Sequence, residues 1–144
     1  MGGQPDSLTR ERETQFFHNV EAFMRRDFAT IEGTMRSDVV MEMPGRSWLA
    51  GRHQGYEAVS RCIFEARNVL DADEDQITFL HAGDQMLVKL DVEVHGLSHD
   101  VEMAIRVRVR YDESGKWEAI SVEPGDLGLF DHVLTTAQRD QTTA

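Results

Sequence analysis

Residues 86–94 read Met-Leu-Val-Lys-Leu-Asp-Val-Glu-Val, with an apolar residue at every second position from 86 to 94. The charged residues Lys89, Asp91 and Glu93 stand between them. Successive side chains of a β-strand point to opposite faces, so this pattern predicts a strand with one apolar and one charged face. Residues 101–109, Val-Glu-Met-Ala-Ile-Arg-Val-Arg-Val, repeat the alternation, and residues 95–99 between the two runs are predicted to form a turn.

The same period of two extends to both sides of these strands. Ile77 and Phe79 alternate with polar residues before the turn at residues 82–84. After a further turn at residues 112–115, Trp117, Ile120 and Val122 mark a last strand. The second half of the chain therefore predicts a meander of antiparallel strands.

The first half of the chain has a helical period instead. From about residue 7 to residue 26 the apolar residues recur three or four positions apart, which predicts an amphipathic helix. Asp27 is predicted to cap a second, shorter helix, and residues 39–43 form a strand that Pro44 ends. Residues 45–55 are predicted to be a loop, and a third helix then ends before the acidic run at residues 71–75. The apolar residues on these three helices are Phe16, Val20, Phe23 and Met24, then Phe28, Ile31 and Met35, then Tyr56, Val59, Ile63 and Phe64.

Three helices with apolar stripes and a sheet of sequential hairpins pack best as helices on one face of a curved antiparallel or mixed sheet. The fold class is therefore α+β, in the form of a cone with a cavity at the wide end, where helices do not fully cover the sheet. We expect residues 1–144 to form a single domain with an ordered core of about residues 7–137 and polar tails at both ends.

The charge balance narrows the classes of partner. The chain has 26 acidic and 15 basic residues and a net charge of −11, which disfavours nucleic acids and anionic membrane surfaces. No apolar run approaches the roughly 20 residues of a membrane helix, and residues 1–6 lack the features of a secretory signal. We therefore expect a cytoplasmic protein, and its single cysteine, Cys62, excludes a disulfide scaffold.

Two segments resemble a known group of proteins. Residues 23–28, Phe-Met-Arg-Arg-Asp-Phe, with residues 37–40, Ser-Asp-Val-Val, resemble the helix–helix–strand opening of SnoaL-like proteins, a branch of the nuclear-transport-factor-2-like superfamily. The loop Met-Pro-Gly-Arg-Ser-Trp-Leu-Ala-Gly-Arg-His-Gln-Gly at residues 43–55 is similar to the Pro-Gly…Leu-Ala-Gly…Gly loop common in that branch. The resemblance covers about residues 8–134 and implies a cone-shaped α+β barrel. Because this superfamily contains isomerases, cyclases, dehydratases, epoxide hydrolases and binding modules, function must be argued from the site.

Two enzyme groups of the superfamily offer a comparison of site residues. Ketosteroid isomerases carry a general-base Asp where this chain has Met43, and a Tyr where Asn19 or Val20 falls, so their mechanism is not expected. Limonene-epoxide hydrolases carry Arg-x-Asp where this chain has residues 89–91, and a second carboxylate at the position of Glu123. The resemblance implies Asp91 and Glu123 as an acid–base pair oriented by Lys89. The Tyr and Asn of those hydrolases fall on Val40 and Glu42, which are predicted pocket residues.

The orientation of the charged strand face stays open at this point. If Lys89, Asp91 and Glu93 face solvent, they pair across strands and the apolar row forms the core. If they point into the cone instead, the apolar row faces outward and needs a second subunit to cover it. The orientation therefore decides both the site and the oligomeric state, and a homodimer through the sheet is predicted.

Further pocket candidates are Phe16 and Trp48, as apolar wall residues, and His53, as an acid, a base or a solvated loop residue. The six histidines have no metal-ligand spacing, and no nucleotide, flavin or metal motif is present, so no metal and no cofactor are expected. The sequence predicts a pocket protein for a small, largely apolar molecule, with cofactor-independent proton transfer or water addition as its chemistry. The alternative is a non-catalytic, dimeric module that binds a ligand or partner.

Overall fold

Four helices and six strands follow one another in the described part of the chain, residues 7–94 and 100–143 of the computed structural model, with residues 72–75 and 137–143 described by their backbone alone. The predicted turn at residues 95–99 and the predicted tail at residues 1–6 lie outside the described residues. In chain order the elements are α1 (Ser7–Met24), α2 (Phe28–Glu32), β1 (Met35–Met43), β2 (Gly51–Gln54), α3 (Tyr56–Arg67), β3 (Leu70–Ala82), β4 (Gln85–Val94), β5 (Val101–Tyr111), β6 (Trp117–Pro124) and α4 (Leu127–Thr143).

The strands form one mixed sheet in the order β2-β1-β6-β5-β4-β3. Strands β1 and β6 run parallel, and the other neighbouring pairs are antiparallel. The sheet curls strongly into a half barrel against which the helices pack. The α+β cone predicted from the sequence is therefore confirmed.

The alternation in β4 settles which face of the sheet meets the helices. Its residues Met86, Val88, Leu90, Val92 and Val94 are all buried, whereas the charged residues between them are exposed or half-buried. The apolar row therefore faces the helices and forms the core. The charged row forms what we call the outer face of the sheet.

The helices and strands differ from the sequence prediction at four places. Met35 begins β1 instead of ending the second helix, and residues 51–54 of the predicted loop pair with β1 as the edge strand β2. The acidic run at residues 71–75 lies within β3. Residues 127–143 form a fourth helix, which the sequence pattern did not predict and which continues through residues 138–143. Phe130, Val133 and Leu134, spaced as on one helix face, are buried and hold this helix on the sheet.

The predicted cap of the second helix is present. The Asp27 carboxylate accepts hydrogen bonds from the backbone N–H of Thr30, at 3.3 Å, and from the Thr30 hydroxyl, at 2.6 Å. The hydroxyl bond first and the backbone bond second lower the pKa of Asp27 below its ordinary value. This cap fixes the start of α2.

The side chain of Arg67 connects α3 to the end of α1. The Arg67 guanidinium donates to the carbonyls of Phe23, at 3.1 Å, and Met24, at 3.1 Å, at the end of α1. It also lies 2.8 Å from the Asp71 carboxylate. A cation suits a helix C-terminus because the last carbonyls have no partner within the helix. The distance between the two helices is therefore fixed by bonds as well as by packing.

Candidate functional site

A cavity of about 160 Å³ lies between the helices and the inner face of the sheet. Its described wall is formed by α1, α2 and α3, by five strands of the sheet and by one residue of α4. The lining residues are almost all apolar, because the face that each element turns inward is its apolar stripe or row. They are Phe16, Asn19, Val20, Phe23, Ile31, Met41, Met43, Cys62, Ile63, Ala66, Leu70, Leu90, Val92, Ile105, Val107, Trp117, Ile120, Val122 and Phe130.

Aromatic rings hold the wall on the side of α1. The rings of Phe16 and Trp117 stack with their centroids 6.1 Å apart, and Phe79 meets Phe16 edge-on at 6.0 Å. The Trp117 indole N–H donates to the side-chain carbonyl of Gln15 at 2.8 Å. Aromatic pairs of this geometry add stability beyond the area that they bury. The rings are therefore held in place before any ligand arrives.

Asn19 is the amide-bearing residue of this apolar wall. Its side-chain NH₂ donates to the Thr34 hydroxyl oxygen at 3.0 Å, and that hydroxyl donates its proton to the Ile31 carbonyl at 2.7 Å. Because the Thr34 proton is already used, Thr34 can only accept from Asn19, and this fixes the orientation of the amide. The Asn19 Oδ1 is buried and has no hydrogen-bond partner among the described residues, and an unpaired buried acceptor costs about 1–3 kcal/mol.

Cys62 is the titratable residue of the described cavity wall. It lies on α3 and is 2% exposed. Burial, with a smaller contribution from Glu65, raises the pKa of its thiol to about 12. Near neutral pH the group is therefore a neutral thiol that neither attacks nor accepts a proton.

A close contact joins the loop after β1 to α4. The Arg46 backbone N–H donates to the Asp131 carboxylate at 3.0 Å. The preceding Gly45 has a φ of +94°, and a Cβ there would collide with that carboxylate, so glycine is required on both grounds. Asp131 follows Phe130, which lines the cavity. The contact therefore holds the loop beside this part of the cavity wall.

The predicted pocket residues are dispersed. Phe16 lines the cavity, whereas Trp48 is half-buried against the core and is not in its described wall. His53 is half-buried on β2, and its Nε2–H donates to the Leu49 carbonyl at 2.8 Å. Val40 and Glu42 alternate with the inward-facing Met41 and Met43 and lie on the outer face, in a separate groove of about 310 Å³.

The predicted acid–base set also lies on the outer face. Lys89 of β4 stands opposite Arg106, which stands opposite Glu123 of β6, while Asp91 stands opposite Ala104. Of the two orientations that the sequence left open, the structure therefore has the one in which the charged row faces solvent. The physical reason is that the helices need an apolar face to cover, which leaves the charged row to solvent.

The carboxylate of Glu123 has a cation beside it on this face. It accepts from the Arg108 Nε at 3.2 Å, and both side chains are more than a third exposed. An exposed pair of this kind contributes little to stability. It is the cross-strand pairing expected of a solvated sheet face.

Sequence reasoning missed most of the cavity wall, although signals were present. Asn19 is a polar residue within the stripe of Phe16, Val20 and Phe23, which marks it as unusual. The spacing of Phe130, Val133 and Leu134 is that of a helix face.

Among the described residues, no three His, Cys, Asp or Glu side chains converge as a metal site would require. None of the described helices combines the length and apolar character needed to cross a membrane.

Solved structures with the same architecture identify the fold. Bal32a, from a soil-derived mobile gene cassette, has a TM-score of 0.79 and 16% sequence identity over 89% of this chain and 99% of its own. An NTF2-like protein from Burkholderia xenovorans LB400 has a TM-score of 0.73 and 18% identity over 92% and 99% of the two chains. TerC, co-crystallised with polyporic acid, has a TM-score of 0.72 and 19% identity over 85% and 97%.

At these identities the likeness shows the fold, and the chain has the nuclear-transport-factor-2-like fold that the sequence resemblance predicted. No family model and no curated protein matches the sequence. The chemistry of the site must therefore be argued from its own residues.

The burial of Cys62 predicts a pH dependence of stability. The unfolded chain releases the thiol proton near its ordinary pKa of 9.0, whereas the folded chain keeps it up to about 12. Between these values the unfolded state binds fewer protons, so stability falls as pH rises. We expect the free energy of unfolding of Cys62→Ala to fall less steeply than that of the wild type between pH 9 and 10, by up to about 1.4 kcal/mol per pH unit. Urea unfolding at a series of pH values measures this difference.

Tyr111 provides the control for this experiment. Burial raises its pKa to about 12 from an ordinary 10.0, so Tyr111→Phe should reduce the fall in stability between pH 9 and 10 by only about a third as much as Cys62→Ala does. A Cys62→Ala variant that kept the full wild-type slope in this window would show that the thiol is not buried in the folded protein.

Proposed function

We propose that this protein binds a small, uncharged, largely apolar molecule in the cavity between its helices and sheet, and that binding is its primary role. The observation that carries the proposal is the cavity itself, about 160 Å³ of space with an almost wholly apolar wall. Well-packed cores contain few voids larger than a water molecule. A space of this size is therefore exceptional for a packed core and large enough for a small apolar ligand.

The size of the cavity limits the ligand. Cavities for drug-sized molecules measure roughly 300–1,000 Å³. An apolar cavity of about 150 Å³ engineered in another protein stays dry and binds benzene. The ligand that fits without rearrangement is therefore about the size of one ring.

The chemistry of the wall limits the charge of the ligand. No described lining residue carries a charge near neutral pH, since Asn19 is an amide and Cys62 is a neutral thiol. A charged ligand would lose its hydration without gaining a counter-charge, which costs several kcal/mol or more. Hydrophobic burial of a neutral ligand has no such opposing cost.

The same wall favours binding over catalysis. Proton transfer and water addition need an acid or base whose pKa lies near the working pH, and the described lining offers the Cys62 thiol, with a pKa raised to about 12. An acid–base role for Asp91, Glu123 and Lys89 would have to take place on the outer face of the sheet. TerC, of similar structure, was co-crystallised with polyporic acid, which supports a small-molecule role for this fold.

We also propose that the protein forms the predicted homodimer, with the outer face of the sheet as the interface. Arg108 and Arg110 lie there beside Glu123 and Glu118, at 3.2 Å and 2.7 Å. A two-fold axis can set the basic positions of one copy against the acidic positions of the other. Such a dimer would dissociate as salt rises, and a sedimentation mass that stays monomeric in low salt would contradict it.

Filling the cavity should abolish ligand binding. Ala66 lines the cavity from α3, so Ala66→Phe places a ring in the space that we assign to the ligand. Toluene at about ten times its dissociation constant should raise the melting temperature of the wild type by about 4 °C. Toluene should leave the melting temperature of Ala66→Phe almost unchanged.

Ala29→Phe is the matched control, because Ala29 is exposed on α2, and it should respond as the wild type does. An equal rise in the Ala66→Phe variant would place the ligand elsewhere. If neither toluene nor other single-ring compounds affected the wild type, the proposed function would be wrong.

A further inference from the structure

The side chains of the described cavity wall offer a ligand no nitrogen or oxygen partner for a hydrogen bond. Among these lining residues, Asn19 and Trp117 are the two whose side chains carry a nitrogen or oxygen atom. The Asn19 NH₂ is bound to Thr34, and the Asn19 Oδ1 exposes less than 1 Å², so the oxygen is closed to a ligand as well as to water. The Trp117 indole N–H is bound to Gln15 at 2.8 Å. The polar groups of the described wall are therefore bound elsewhere or out of reach.

The backbone of this wall is occupied as well. The lining residues belong to helices and to strands of one sheet, and the N–H and C=O groups of such elements bond one another. The sulfur atoms of Met41, Met43 and Cys62 also line the cavity, but thioethers and thiols form only weak hydrogen bonds. A hydroxyl, carbonyl or amino group on a ligand would therefore lose its bonds to water and gain none of similar strength.

Aromatic rings accompany the sulfur atoms in the described wall. Phe23 and Phe130 line the cavity in addition to the stacked pair of Phe16 and Trp117. Protein rings attract another ring edge-on or in an offset stack, and sulfur attracts the edge of a ring, in each case by more than the buried area alone provides. A saturated ring of the same volume gains neither interaction. The wall therefore distinguishes ligands by more than their hydrophobicity.

We propose that the ligand of this cavity is a single-ring aromatic hydrocarbon of the alkylbenzene type, without a hydroxyl, carbonyl or amino group. This inference rests on the proposed function, because it specifies the ligand class of the same cavity. It goes further in two respects. The site rejects the hydrogen-bonding group that a largely apolar ligand can still carry, and it prefers an aromatic ring to a saturated one.

The first comparison is between 4-fluorotoluene and 4-fluorophenol, each titrated with the wild type and followed by ¹⁹F NMR. The two molecules are alike in size and differ in a methyl or hydroxyl group. An environment in which the hydroxyl keeps a hydrogen bond favours the toluene only about tenfold. Without a partner, the Kd of the phenol should exceed that of the toluene at least about a hundredfold. A smaller ratio would overturn the inference while leaving the proposed function intact.

A matched pair of variants on β5 tests whether the missing hydrogen bond causes this ratio. Val107 lines the cavity, whereas Val109, on the same face of β5, is fully buried and is not among the described lining residues. Val107→Thr adds a hydroxyl to the wall with little change of shape, so the ratio of the two Kd values should fall about tenfold. Val109→Thr should leave it unchanged. Equal ratios in the two variants would overturn the inference, and the wild-type comparison decides the matter if either variant does not fold.

Methylcyclopentane tests the preference for an aromatic ring. It is a saturated molecule of about the volume of toluene and is the more hydrophobic of the two, so burial of area alone would favour it. Toluene should nevertheless bind at least about fivefold more tightly, measured for both by displacement of 4-fluorotoluene. A smaller preference would overturn the inference. If 4-fluorotoluene itself did not bind to the wild type, the proposed function would fail together with this inference.

Discussion

The two-residue alternation of the sheet is the constraint on which the rest of the structure depends. A strand such as β4 turns Met86, Val88 and Leu90 to one side and its charged residues to the other. The apolar side must be covered, and α1, α3 and α4 cover it. Because the sheet curls while helices are nearly straight, coverage is incomplete, and the space that remains is the cavity.

An unfilled cavity is costly for a domain of this size. At about 24 cal/mol per Å³, the value found for enclosed cavities made by mutation in another protein, a sealed space of 160 Å³ would cost about 4 kcal/mol, and the opening of this cavity towards solvent makes that figure an upper limit. This is a large share of the roughly 5–15 kcal/mol by which a typical domain is stable. One additional large side chain at Ala66 would fill much of the space. The small residue at this position thus favours a site that is completed by a ligand.

The sequence predicted the fold better than the site, for a physical reason. Periodicity reports which residues of an element share a face, and this was sufficient for the α+β cone and for the alternation of β4 and β5. It does not report which of the two faces meets the helices, so the sequence left open whether Asp91, Glu123 and Lys89, the acid–base set that the resemblance to hydrolases implies, line the cavity or face solvent. The hydrogen bond that allows Asn19 to be buried in the wall was missed because its partner, Thr34, lies fifteen residues further along the chain.

The measurement that tests the central claim most directly is a crystal structure of the protein under xenon pressure. Xenon enters dry apolar cavities of this size, and its anomalous signal locates it without ambiguity. The account predicts a xenon atom between Phe16, Trp117 and Phe130, inside the inner face of the sheet. A cavity that excluded xenon and held a chain of ordered waters, or that neighbouring side chains had closed, would contradict it.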